Sequence, residues 1–195
     1  MTPDQKDDED APITRAERLR RVVLLCSHVM RNLAIYRVGQ QNPVGWKEPP
    51  FSAEFGFWRE INSSSVDMCA IEWCKLFGDQ KGKHFWKNVV TDQNAFENLL
   101  FKRLNTSQEE FAAYAISMRR YRDKFVAHLD SDRIMHVPNL DSAKSSIEFY
   151  HSYIVDNEAA IGDLVNLADT ARKFSIGYDD CEREAQRVYR ALQAN

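Results

Sequence analysis

Apolar residues recur at steps of three and four along most of the chain, the spacing of one buried helix face. The first such run carries Leu19, Val22, Val23, Cys26, Val29, Met30 and Leu33, and predicts a helix to about Arg37. Its start is marked by Thr14-Arg-Ala-Glu17, a capping box in which hydroxyl and carboxylate satisfy the first free amides. Residues 39–50, rich in Gly, Pro and Gln, read as a loop. Ser52 is placed to cap a second helix with Phe55, Trp58, Ile61, Ser65, Cys69, Trp73 and Leu76, which Gly78 stops. After a polar connector, 79–83, and an aromatic segment, 84–90, Thr91 or Asp92 starts a helix bearing Phe96, Leu99, Leu100 and Leu104. Ser107-Gln-Glu-Glu110 is a second capping box, opening a helix with Phe111, Tyr114, Met118, Tyr121 and Phe125. A loop with Pro138 follows, and Asp141 or Ser142 caps a long helix through Ile147, Tyr150, Ile154, Ile161, Leu164 and Leu167 to about Phe174. A break at 175–179 precedes a last helix with Val188 and Leu192. No segment alternates as a strand does. The pattern predicts an all-α fold, an up-and-down bundle of about five to six helices.

Charge changes the picture at one end. Asp4, Asp7, Asp8, Glu9 and Asp10 face only Lys6, so residues 1–12 read as a disordered acidic tail and 13–195 as a single helical domain. Setting that tail aside, the 26 basic and 29 acidic residues become 25 and 24. A near-neutral body argues against a general duplex-DNA binder, which carries a strong basic excess. No apolar run approaches the roughly 20 residues that span a bilayer, and the acidic start is unlike a signal peptide. The four cysteines, Cys26, Cys69, Cys74 and Cys181, form no CxxC pair and have no His at zinc-ligand spacing. They read as small core residues of a protein in reducing cytoplasm, with no metal or other cofactor implied.

One stretch concentrates chemistry. Residues 119–130, Arg-Arg-Tyr-Arg-Asp-Lys-Phe-Val-Ala-His-Leu-Asp, hold three arginines, a lysine, a histidine and two carboxylates. Basic residues on a helix ordinarily form a solvated face, and a His near a helix end ordinarily complements the dipole. Here Arg120, Lys124 and His128 stand at i, i+4 and i+8, a basic line beside the apolar Tyr121 and Phe125. Cleaving a phosphodiester without metal takes a group that moves a proton near neutral pH, which suits histidine. It also takes a cation to meet charge growing on the phosphate, which suits the two-pronged arginine. Arg122 and His128 supply that pair, and Asp123 is placed either to accept from the imidazole or to orient the arginine. Six positions of regular helix turn about 600°, leaving Arg122 and His128 roughly 120° apart. Two copies of the helix across a two-fold axis bring such groups together more readily than one does, so a composite site in a homodimer is expected.

Arg122-Asp-Lys-Phe-Val-Ala-His128 resembles the Arg-x4–6-His motif of the HEPN superfamily, small all-α domains that are often dimeric. Arg21 and His28 meet the same spacing, so it is the context that singles out the later pair: Asp123, Ala127 and Asp130 match the abortive-infection (AbiU-like) branch. Trp73-Cys-Lys-Leu-Phe-Gly78 and His84-Phe-Trp-Lys87 also resemble segments that precede the motif there, and the likeness spans roughly residues 66–175. The resemblance implies a metal-independent endoribonuclease of toxin–antitoxin or phage-defence type, leaving 2′,3′-cyclic phosphate ends. In that reading Arg122 holds the scissile phosphate, His128 is the general acid and base, and Asp123 orients. Arg119, Arg120, Lys124 and Asp130 are then substrate-binding candidates, RNA the substrate, and an antitoxin protein a possible partner.

Two other readings stand beside it: a non-catalytic HEPN module that binds a nucleotide or a partner, and an unrelated helical interaction protein. Arg15, Arg18, Arg20 and Arg21 make the first helix basic, as an RNA contact or a solvated face. Phe85, Trp86, Tyr114 and Tyr121 suit base stacking or, more commonly, buried packing. His136 lies in the loop after the motif, and His84 and His151 have no evident partner. There is no phosphate-cradling glycine loop.

Overall fold

A computed structural model describes residues 13–42, 53–127, 136–160, 164 and 171–193. The acidic segment at 1–12 and residues 43–52, which include most of the stretch expected to be a loop, lie outside them. Every regular element among the described residues is helical, with six α-helices and no strand: α1 (Arg15–Gln41), α2 (Ala53–Trp73), α3 (Gln93–Leu104), α4 (Gln108–Tyr121), α5 (Leu140–Tyr153) and α6 (Ala171–Gln193). Among them no helix is long and apolar enough to cross a membrane.

α1 is the hub, packing against α2, α5 and α6, while α3 lies on α5. Leu19, Val22, Val23, Cys26, Val29 and Leu33 are all fully buried. The capping boxes at Thr14 and Ser107 form as expected: Thr14 N donates to Glu17 at 2.7 Å and Ser107 N to Glu110 at 2.8 Å. Asp92 is the cap of α3, accepting from Ala95 N at 2.9 Å.

A chain of rings ties the helices into one core. Trp86 stacks on Phe96 at 4.8 Å, Phe96 meets Tyr150 at 5.3 Å, Tyr150 meets Phe77 at 5.5 Å, and Phe77 stacks on Trp73 at 5.2 Å. Burying a side chain of this size contributes about 1.5–3 kcal/mol. The indole N–H of Trp73 is satisfied in the interior by Ser146 Oγ at 2.9 Å, which keeps that burial favourable.

Three helices run directly into a π-helical turn, bonded i to i+5 instead of i to i+4. Cys74–Gly78 continues α2, Arg122–Ala127 continues α4, and Ile154–Glu158 continues α5. Asp79 N closes the first onto Cys74 O at 2.8 Å, and Ala159 N closes the last onto Ile154 O at 3.0 Å.

Several expected boundaries move. α1 does not stop near Arg37 but runs through Gly39 to Gln41. Gly39 is there because α1, α2 and α6 approach closely: a Cβ would lie 2.1 Å from Asn62 Oδ1 and 2.8 Å from the Tyr189 hydroxyl. α5 is capped by Asn139, whose Oδ1 accepts from Asp141 N at 2.8 Å, and not by Asp141 or Ser142. Its helix does not reach Phe174. It ends in the π turn at Glu158, whose carboxylate is tied to Thr91 N at 2.8 Å, Thr91 Oγ1 at 2.7 Å and the Arg15 guanidinium. The break expected at 175–179 is absent, because Phe174, Tyr178, Cys181, Ala185 and Tyr189 form a continuous inner face of α6 through Gly177. Val188 lies beside that face and is 40% exposed, and Leu99 of α3 is 47% exposed.

Candidate functional site at the Arg122 turn

Arg122 is the residue at which α4 gives way to its π turn. It caps α4, its amide bonding to Arg119 O and Met118 O. Its side chain is only one-fifth exposed, and its guanidinium is held by two carboxylates. Nη1 donates to Asp79 Oδ1 at 2.6 Å, and Nε donates to Asp123 Oδ1 at 2.8 Å. Burial alone disfavours the cation, but the bonds to Asp123 and Asp79 outweigh it and raise the guanidinium pKa further. Asp123 thus bonds to the arginine, while the His128 imidazole, its other expected partner, lies outside the described residues.

Asp79 was not among the expected site residues. It follows Gly78 directly, closing the π turn that ends α2, and its carboxylate reaches 43 positions along the chain to Arg122. A carboxylate placed just after a helix-stopping glycine was the only available signal. Cys74, in the same turn, senses Arg122, Asp79 and Asp123, but burial dominates and pushes its thiol up to about 12. It is an inert neighbour rather than a nucleophile.

The other expected residues fall differently. Arg119 is half-buried; its Cγ packs 3.1 Å from where a Gly78 Cβ would be, and its Nε is buried with no hydrogen-bond partner. Arg120 is exposed and Lys124 half-buried. The i, i+4, i+8 basic line assumes α-helical pitch, and so does the 120° separation of Arg122 from His128. Neither geometry holds through 122–127, because the segment is π-bonded. His128 and Asp130 lie outside the described residues.

Behind the turn, Tyr121 is buried and its hydroxyl donates to Asp67 Oδ1 of α2 at 2.6 Å. Burial pushes the Asp67 carboxyl above its usual range, against that hydrogen bond. This contact fixes α4 one residue before Arg122. Of the aromatics considered for base stacking, Phe85, Trp86 and Tyr121 are buried core residues. Tyr114 is half-buried, donating to Asn139 O at 2.7 Å. His136 is exposed, whereas His151 is fully buried, stacked on Phe174 at 3.9 Å. The first helix is not a simple solvated face either: Arg15 Nη1 donates to Val89 O at 3.2 Å and Arg18 Nη1 to Asn88 O at 3.2 Å.

The arrangement can do one thing chemically. A guanidinium has five N–H donors in a plane, and the two carboxylates engage one at Nε and one at Nη1. The remaining edge keeps donors able to grip an oxyanion in a fixed orientation. Compared with protein-family models, curated proteins and solved structures, the chain matches none.

Proposed function

We propose that this protein is a HEPN-type, metal-independent endoribonuclease of the abortive-infection branch, with a composite Arg/His site completed across a homodimer and, in the cell, restraint by an antitoxin protein. The observation that supports this most is the Arg122 guanidinium, oriented by Asp79 and Asp123 at the start of a π turn. Such turns recur at functional sites because they displace side chains from the regular helical register. In the proposed chemistry His128 takes the proton of the 2′-hydroxyl as that oxygen attacks the adjacent phosphorus. The P–O5′ bond breaks and the departing 5′-oxygen receives a proton, leaving a 2′,3′-cyclic phosphate. Arg122 meets the charge that develops on the non-bridging oxygens. Asp123 and Asp79 hold the guanidinium, and Arg119, Arg120, Lys124 and Asp130 border the path of the RNA.

A second reading, a non-catalytic HEPN module that binds a nucleotide or partner, is favoured by the same contact seen from the other side. Two carboxylates on one arginine also make a stable structural staple. The experiment that separates the two is RNA cleavage in EDTA by wild type beside His128→Ala, with both confirmed folded and dimeric. Cleavage by wild type alone, with cyclic phosphate ends, is the expected result. Equal activity in both exposes a contaminating nuclease, and no cleavage of several RNAs by either moves the assignment to the binding module.

A further inference from the structure

The loop that leaves Asp79 carries a second concentration of positive charge, which the Arg122 site does not use. Gly82 N bonds to Asp79 O at 2.7 Å, Phe85 N bonds to Gly82 O at 3.1 Å, and Asn88 Nδ2 returns to Gly82 O at 2.9 Å. α1 clamps this compact loop through Arg18, which donates to Asn88 O. Two polar atoms are nonetheless buried there without a hydrogen-bond partner, His84 Nδ1 and Arg18 Nε. Buried polar groups are nearly always satisfied, so two orphans on neighbouring residues call for an explanation.

The surrounding charge is one-sided. After burial, the strongest influences on the His84 imidazole come from Arg21, Arg18, Lys75 and Lys83, and all hold it below the usual histidine value. Lys75 is partly neutralised by Glu72 at 3.1 Å. Arg21 and Lys83 are exposed and make no ion pair among the described residues. Glu17 senses Arg21, but its carboxylate is occupied by Thr14 N at 2.7 Å and Thr14 Oγ1 at 2.9 Å. Folding therefore sets a half-buried imidazole, its Nδ1 buried and without a partner, among side chains of one sign, an arrangement whose mutual repulsion an anion would relieve.

We propose that His84, Arg18, Arg21, Lys75 and Lys83 form a phosphate-binding site between the first turns of α1 and the loop 79–88. Its ligand is a phosphoryl oxyanion, supplied either by the backbone of a single-stranded RNA or by a free nucleotide. The flexible Lys83 and Arg21 reach the oxygens from the solvent side, and His84 and Arg18 meet them from the buried side. This inference does not depend on the ribonuclease reading, because neither Arg122 nor His128 takes part.

Two probes test it on the full chain: inorganic pyrophosphate by calorimetry, and a short 2′-O-methyl oligoribonucleotide by fluorescence anisotropy, whose blocked 2′-oxygens cannot be cleaved. Arg21→Glu and Lys83→Glu alter exposed side chains, and Lys102→Glu on α3 makes the same charge change outside the cluster. The expected result is pyrophosphate binding that weakens about tenfold or more in each cluster variant and hardly at all in Lys102→Glu. Oligonucleotide binding displaced by pyrophosphate, with a salt slope smaller by about one in Lys83→Glu, assigns the site to RNA phosphates. Pyrophosphate binding without oligonucleotide binding assigns it to free nucleotides. Binding of neither probe, or equal losses in all three variants, overturns the proposal.

Discussion

Replacing Asp79 by Asn tests whether the Arg122 turn is held from α2 as the structure describes. The substitution keeps the side-chain shape and an oxygen acceptor, and leaves the backbone bonds of Asp79 to Cys74 and Gly82 untouched. What it removes is the charge opposite Arg122 Nη1, 2.6 Å away. A fully buried pair broken on one side costs about 3–5 kcal/mol, and an exposed one about 0–1. With the two side chains 20% and 35% exposed, the cost falls between these limits, about 1.5 kcal/mol, because Asp123 still faces the guanidinium. For a chain of this length that is a fall in Tm of about 3–6 °C. Urea unfolding of Asp79→Asn, Arg122→Met and the double variant isolates the pair from its surroundings. The coupling energy is expected near 1 kcal/mol. A value within about 0.3 kcal/mol of zero, the usual scatter of independent sites, would refute the claim that Asp79 orients Arg122.

Three further outcomes follow from the packing and the titrating groups. Gly177 faces open space in the middle of α6, so Gly177→Ala should stabilise by about 0.5–1 kcal/mol, whereas Gly39→Ala, driven into Asn62, should lower the unfolding midpoint. Burial pushes the Cys69 and Cys74 thiols up to about 12 and raises Cys26 as well, so a disulfide reagent should titrate half-buried Cys181 first in the native protein and all four thiols only on unfolding. His84 has a folded pKa below its ordinary 6.5. The unfolded chain therefore binds its proton first, and stability present above pH 6.5 should be lost as the pH falls below it; His84→Gln should flatten the profile in that window, and an unchanged slope would contradict the partial burial of this imidazole beside its cations.

What the sequence reveals and what it hides divides by the range of the interaction. Thr14, Asp92 and Ser107 act on amides within three residues, so each cap is visible in a four-residue window, and the inner faces of α1 and α4 repeat too regularly to be missed. Gly39 and Gly177 show where that window fails. Gly39 falls in a stretch that reads as a loop and Gly177 in one that reads as a break, yet both lie inside helices: one because a neighbouring helix leaves no room for a Cβ, the other because an inner face on either side outweighs one unfavourable residue. The apolar steps from Ile154 to Ile161 suggested an unbroken helix, but Glu158 anchors to Thr91 and Arg15, far away in sequence, and the π turn ends there. The Arg122 site splits the same way. Asp123 is adjacent and was legible; Asp79 comes from another helix end and was not. That second carboxylate alters the chemistry open to the arginine. A guanidinium held by one neighbour can swing to a phosphate, but one held at Nε and Nη1 presents only its remaining edge, in one plane. Any phosphate it grips must come to it in that orientation, and the site's selectivity would then lie in geometry rather than in charge.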